Sequence, residues 1–185
     1  MFPFSEFMGS TAEWTQPDTF ERFFELRSAD SLLETLSFRS SCGTLATAEA
    51  LDEKWTFKRV GFLNPRVTVR VAGLEADMSV YQPKFWGDGL LSIENGPLIM
   101  WKPTNFWATD WAFIDQVDNI VMGFKGGIEQ ERLRDIFKIQ TTLEIDRTMI
   151  YREHIPMLAS LGMYLIILHH QDASAAAASA GAAAS

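Results

Sequence analysis

The residues best placed to do chemistry are a run of cations in an otherwise acidic chain. Lys54, Lys58, Arg59, Arg66 and Arg70 fall in a stretch of 17 residues with no Asp or Glu, whereas the whole chain of 185 residues has a formal net charge of -8. Cations gathered in this way can hold a phosphate or a carboxylate. Parity sharpens the reading. If Gly61 to Pro65 form a hairpin loop, Val60 faces Arg66, Lys58 faces Thr68 and Thr56 faces Arg70, so the even-numbered residues share one face. Lys54, Lys58, Arg66 and Arg70 then make an outward strip. Arg59 is left on the inner face or near the rim, and Trp55, Phe57, Val67, Val69 and Val71 face the core. A solvated sheet face, its charges paired with Asp and Glu of neighbouring strands, is the plainer alternative.

Other candidates are weaker. His154, His169 and His170 flank an apolar segment, but two adjacent histidines on one helix point in different directions, and a metal needs three or four converging ligands. Cys42 beside Gly43 has no evident base to activate it, and a single cysteine excludes an internal disulfide. Gly87-Asp88-Gly89 and Gly123-Phe124-Lys125-Gly126-Gly127 lack the strand, Lys-Ser/Thr and helix context of a phosphate loop. Asp115 with Asp118 reads as a polar turn, although Asp110 or Asp115 at a rim could transfer a proton to a small substrate. No catalytic set, metal site or cofactor is expected. Phe85, Trp86, Trp101, Phe106, Trp107 and Trp111 form a dense aromatic tract, read mainly as core and otherwise as an exposed patch for a lipid or a partner.

The elements that would position these residues are mostly strands. Phe137, Ile139, Thr141, Leu143 and Ile145 alternate with Lys138, Gln140, Thr142, Glu144 and Asp146, which predicts a half-buried strand. The two arms of the cationic hairpin alternate in the same way. Further strands are expected at about Arg22–Arg27, Leu32–Arg39, Thr44–Ala50, Asp77–Tyr81, Gly89–Glu94, Leu98–Lys102, Thr109–Asp115 and Ile120–Lys125. Short turns join most of them, Asn95-Gly96 lengthened by Pro97. A helix over Phe20–Leu33 is the rival reading of that segment.

Ile155 to Leu168, IPMLASLGMYLIIL, is apolar on every side, which requires enclosure by lipid or by protein. It is shorter than the about 20 residues of a membrane span, so protein must enclose it. About eleven short-linked strands must curl shut or leave edges exposed, and a ring of that size has room for a helix. The expected fold is therefore mainly β, a closed antiparallel barrel of about 11–12 strands around a hydrophobic C-terminal helix at about 153–169. Residues 1–19 form a lead-in without predicted structure, 20–170 the domain, and the Ala/Ser-rich 171–185 a disordered tail. At 47% hydrophobic, the chain can bury a full core. The acidic balance disfavours nucleic acid as a partner. No transmembrane segment or signal peptide is read, and the lone cysteine fits the cytoplasm.

This arrangement resembles the tubby C-terminal domain, the LURP-one-related proteins and the phospholipid scramblases. The residues that carry the resemblance are GTLATAEALDEKWTFKRVGF at Gly43–Phe62, DNIVMGF at Asp118–Phe124 and PMLASLGMYLIIL at Pro156–Leu168. It covers about Arg22 to His170 and is architectural. It implies a non-enzymatic module that binds a lipid headgroup, a membrane surface or a protein partner, peripheral to a membrane. The chain departs from that family in its acidic balance and in lacking a phosphoinositide-binding motif and a cysteine-rich segment. An enzyme of small molecules, with rim carboxylates, is the alternative.

Overall fold

The computed structural model describes residues 11–18, 20–51, 53–84, 87–126, 141–145 and 152–183, with backbone only at 141–145, 152 and 183. Twelve strands follow one another: β1 Thr11–Thr15, β2 Phe23–Ser28, β3 Ser31–Phe38, β4 Ala46–Ala50, β5 Glu53–Val60 and β6 Arg66–Val71 make the first half. The second half is β7 Ser79–Pro83, β8 Gly89–Ile93, β9 Leu98–Pro103, β10 Trp111–Ile114, β11 Ile120–Lys125 and β12 Thr141–Ile145. A 3-10 turn at Arg152–His154 then leads into α1, Ile155–Ala183.

Each strand pairs antiparallel with the next in the chain. The expected closure needs correction. β1 to β11 form one sheet that is not closed on itself, because its first and last strands do not pair with each other; the ring of backbone pairing passes from β11 to β1 only through β12. The reason is directional. In a meander the first and eleventh strands run parallel, so an odd number of strands cannot close by antiparallel pairing alone. The alternation in the sequence marks about eleven strands and none within residues 1–19, yet Thr11–Thr15 is a strand that buries Ala12 and Trp14 and faces β12 on one side and β2 on the other.

Smaller differences are local. Phe20–Leu33 is not helical, since Phe24 and Leu26 alternate with half-buried neighbours along β2. Strands begin at Ala46, Ser79 and Trp111 rather than Thr44, Asp77 and Thr109. Of the alternating run from Phe137, residues up to 140 lie outside those described. The loop at Asn95-Gly96 is longer than two residues, with Asn95 in the left-handed region at φ 53° and the Gly96 amide donating to the Ile93 carbonyl at 3.0 Å.

α1 is buried on all sides from Ile155 through Leu168. It passes closest to β3 and β4, where Ala46, Ala48 and Ala50 leave room for it. Tyr164 packs where Ala46 lies between Phe38 and Phe57 on the neighbouring strands. Its ring lies 5.6 Å from Phe38, nearly parallel, and 5.4 Å from Phe57, and its hydroxyl donates to the Thr44 carbonyl at 2.6 Å. Across the lumen Trp101 stacks on Trp111 at 5.3 Å and meets Phe113 and Phe124. Gly162 is required there, because a Cβ at that position would overlap the Phe124 ring.

The helix does not stop at His169, and residues 171–183 of the expected tail are helical: α1 continues to Ala183, exposed from Asp172 through Ala182. The buried turns have already met the cost of nucleation, so the alanines need only propagate the helix, which they do better than any other residue. Expected outcomes follow from this packing. Gly162→Ala lowers stability by about 1–3 kcal/mol, whereas Gly123→Ala, with open space around it, leaves the melting temperature nearly unchanged. Leu161→Asp prevents folding, since an unpaired charge at a fully buried site costs several kcal/mol. Deleting Ala173–Ser185 leaves the melting temperature almost unaltered, which thermal denaturation followed by circular dichroism checks in all four variants.

Candidate functional site

Antiparallel strands joined in sequence order sort the loops into two ends. The β1–β2, β3–β4, β5–β6, β7–β8 and β9–β10 loops lie at one end, and the β2–β3, β4–β5, β6–β7, β8–β9 and β10–β11 loops at the other. α1 follows β12, so it enters with the second set, at the inlet end, and leaves among the first, at the outlet end. Tyr164 held by Thr44 of the β3–β4 loop and Asp172 held by Arg59 near the end of β5 both mark the outlet.

The β5–β6 hairpin has the register that the parity argument requires, with Val60 opposite Arg66, Lys58 opposite Thr68 and Thr56 opposite Arg70. Gly61, at φ 86°, turns the chain out of β5. Trp55, Phe57, Val67 and Val69 are buried, while Val71 at the strand end is exposed. The four cations do not share one state. Lys54 is ion-paired with Glu49, its neighbour across β4. Arg70 donates to Asp77 at 2.6 Å and lies 3.5 Å from Glu75, and the bond to Asp77 pushes its pKa up. Lys58 and Arg66 are exposed and have no ion pair among the described residues. The inlet half of the strip is therefore neutralised and the outlet half is free.

Arg66 borders a cavity of about 70 Å³ at the outlet, between the loop end of the hairpin, β7 and the emerging helix. Arg59, Tyr81, Trp101, His169 and Asp172 also line it. Arg59 sits in the inward row of β5 and grips Asp172 with both terminal nitrogens, at 2.9 and 2.5 Å; that hydrogen bonding raises its pKa. The Tyr81 hydroxyl donates to the Gly87 carbonyl at 3.0 Å, and burial holds its pKa far above the usual tyrosine value. His169 meets the edge of Trp111 at 5.0 Å, and burial, with His169 beside it, lowers the pKa of His170. A space of this size with Arg66 at its mouth fits one tetrahedral oxyanion. Arg59 would serve it only by exchanging Asp172 for the incoming anion.

The remaining candidates are dispersed. His154 lies at the inlet and His169 and His170 at the outlet, and no group of described residues could hold a metal ion. Asp110 and Asp115 flank β10 at opposite ends. Asp110 accepts from Thr109 and from the Gly126 amide; Asp115 accepts from the Val117 and Asn119 amides and from the Asn119 side chain, which lowers its pKa. Both are turn-forming groups, and they do not converge on a substrate. Cys42 is exposed in the β3–β4 loop, its sulfur 3.8 Å from the Ser41 hydroxyl and within electrostatic reach of Arg22. Gly123 and Lys125 belong to β11, and Gly127, Phe85 and Trp86 lie outside the described residues. Trp101 and Trp111 are core, whereas Phe106 and Trp107 are exposed.

The chain matches no family model, no curated protein and no solved structure. No helix among the described residues is long and apolar enough to cross a membrane.

One buried group had gone unremarked in the sequence. Glu34 lies in the inward row of β3, between Leu26 and Ala50 on the neighbouring strands, fully enclosed and with neither oxygen hydrogen-bonded among the described residues. Burial, helped by Glu53, pushes its pKa well above the ordinary carboxyl value. Its even position among Leu32, Leu36 and Phe38 was the available signal. A group whose folded pKa is raised favours the fold at low pH and loses that contribution as pH rises towards the folded pKa. Glu34→Gln is therefore expected to melt higher than the parent at pH 8, with a smaller gain at pH 5. Equal gains at both values in thermal melts would show that Glu34 does not titrate with folding.

Proposed function

We propose that the protein is a non-enzymatic binding module whose ligand is the anionic headgroup of a membrane lipid, held at the outlet end of the β5–β6 hairpin. One observation carries the reading: Lys58 and Arg66 are exposed without an ion pair among the described residues, and Arg66 borders an oxyanion-sized cavity, while Lys54 and Arg70 of the same strip are neutralised by Glu49, Glu75 and Asp77. A free exposed cation keeps its full attraction for an anion, whereas a paired one must first give up its partner. The resemblance to tubby-like and scramblase-like domains points in the same direction. A rim enzyme using Asp110 or Asp115 has less support, since those carboxylates are engaged in separate turns.

Vesicle co-sedimentation provides the test. The wild-type chain is expected to bind vesicles of phosphatidylserine and phosphatidylcholine and to ignore phosphatidylcholine alone. Each cation near an anionic surface contributes on the order of 1 kcal/mol, so Lys58→Glu with Arg66→Glu should weaken binding by roughly 100-fold or more and remove its salt dependence. Lys54→Glu should matter less. Undiminished binding by the folded double variant would falsify the headgroup site.

A further inference from the structure

Among the described residues the five most exposed large apolar side chains, Phe20, Phe62, Leu63, Phe106 and Trp107, are between 80% and 96% exposed. All of them sit in the β1–β2, β5–β6 and β9–β10 loops, and hence at the outlet end. The inlet loops expose smaller aliphatics, Leu51, Leu74 and Val117, to a lesser degree.

Each outlet tip is held in a defined shape by polar groups behind it. The Phe20 amide donates to Asp18 at 2.9 Å. Gln82 of β7 donates to Asn64 at 2.9 Å and to the Pro65 carbonyl at 3.2 Å, bracing the loop that carries Phe62 and Leu63. Asn105 accepts from the Thr109 amide at 3.0 Å and donates to its hydroxyl at 2.6 Å, closing the loop from which Phe106 and Trp107 project edge to face. A surface loop ordinarily turns its polar side chains to water, but these turn them to the backbone and present the apolar ones. Water is a poor solvent for such a rim.

The charges are also polarised. Described loops at the inlet carry Asp30, Glu75, Asp77, Glu94, Asp115 and Asp118. The described inlet loops carry no cation, whereas those at the outlet set Arg22, Arg39 and Lys84 against Asp18, Glu21, Asp88 and Asp110, with Lys58 and Arg66 exposed on the adjoining strand ends. From the same end α1 projects its segment Ala173–Ala183, which has no charged residue and at 1.5 Å per residue reaches about 16 Å, close to the depth of one leaflet.

Building on the headgroup reading, we propose that the domain stands end-on against an anionic bilayer. The Phe20, Phe62/Leu63 and Phe106/Trp107 tips enter the interface, the projecting turns of α1 enter among them, and the acidic inlet end faces away. Aromatic rings are the side chains best suited to the headgroup level, and the exposed cations at this end complement the surface charge.

The experiment uses the full chain and phosphatidylserine/phosphatidylcholine vesicles, with and without bromine on the acyl chains. Phe106→Ser with Trp107→Ser is expected to weaken vesicle binding by about tenfold or more without altering the near-ultraviolet circular dichroism, because both rings touch little else. In the wild type, brominated chains should quench emission, and Trp107→Phe should remove that quenching. Deletion of Ala173–Ser185 should reduce affinity while sparing stability. Vesicle binding that survives the serine pair with no bromine quenching would overturn end-on docking but leave the headgroup site standing. Absence of vesicle binding by the wild type would overturn both. A wild-type chain that self-associates through the tips, as a serine-sensitive dimer in sedimentation velocity and without vesicle binding, would assign the rim to a second copy instead.

Discussion

Everything in the structure depends on covering a helix that has no polar side. From Ile155 to Leu168 each side chain is apolar or, as with Ser160 and Tyr164, carries a hydroxyl satisfied by a backbone carbonyl. Such a helix cannot lie on a sheet with one face in water, as an amphipathic helix does. It must be surrounded. The sheet supplies that by curling until β12 bridges β11 and β1, with small residues on β4 where the helix passes closest and large rings opposite. Sheet and helix are each incomplete alone, because an uncovered sheet of this composition would expose Trp14, Phe57, Trp101 and Phe124.

That constraint also produces the polarity of the molecule. A single helix threading a ring of antiparallel strands enters at one end and leaves at the other, so the two loop sets meet different surroundings. At the inlet the chain is bounded by acids. At the outlet the Arg59–Asp172 pair fastens the helix to β5 as it emerges, and beyond it the alanine segment continues into solvent. The free half of the cationic strip and the cavity lined by Arg66 lie on this side. The arrangement gathers the exposed cations and the cavity at one end.

Much of this was legible in the residues, for physical reasons that differ from element to element. Period-two alternation marked β5 and β6 because one face is dry and the other wet, and the parity of Trp55, Phe57, Val67 and Val69 set the register. The length and flanks of Ile155–Leu168 were enough to require burial in protein. β1 escaped notice because TAEWT is short and has only Ala12 and Trp14 to reveal its inward face. The helical tail is not legible from propensity alone, because Ala173 extends a helix already nucleated in the core rather than starting one. At the site, sequence could show that Lys54, Lys58, Arg66 and Arg70 share a face, but not that Glu49 and Asp77 neutralise two of them. That depends on neighbours across the strands. The outlet rim was hidden for the same reason: Phe20, Phe62 and Trp107 are far apart in the chain, and only the alternation of strand direction brings their loops to one end.

If the helix and the sheet form one cooperative unit, no part of α1 inside the ring can open while the sheet stays folded. Native-state amide hydrogen exchange measures this residue by residue. The amides of Leu158 to Leu168 should exchange with the free energy of global unfolding, in step with those of Phe57, Val69 and Phe124 and with the same dependence on denaturant. Exchange from the helix at a distinctly lower free energy than from those strands would mean that the helix leaves an intact sheet, and would contradict the account.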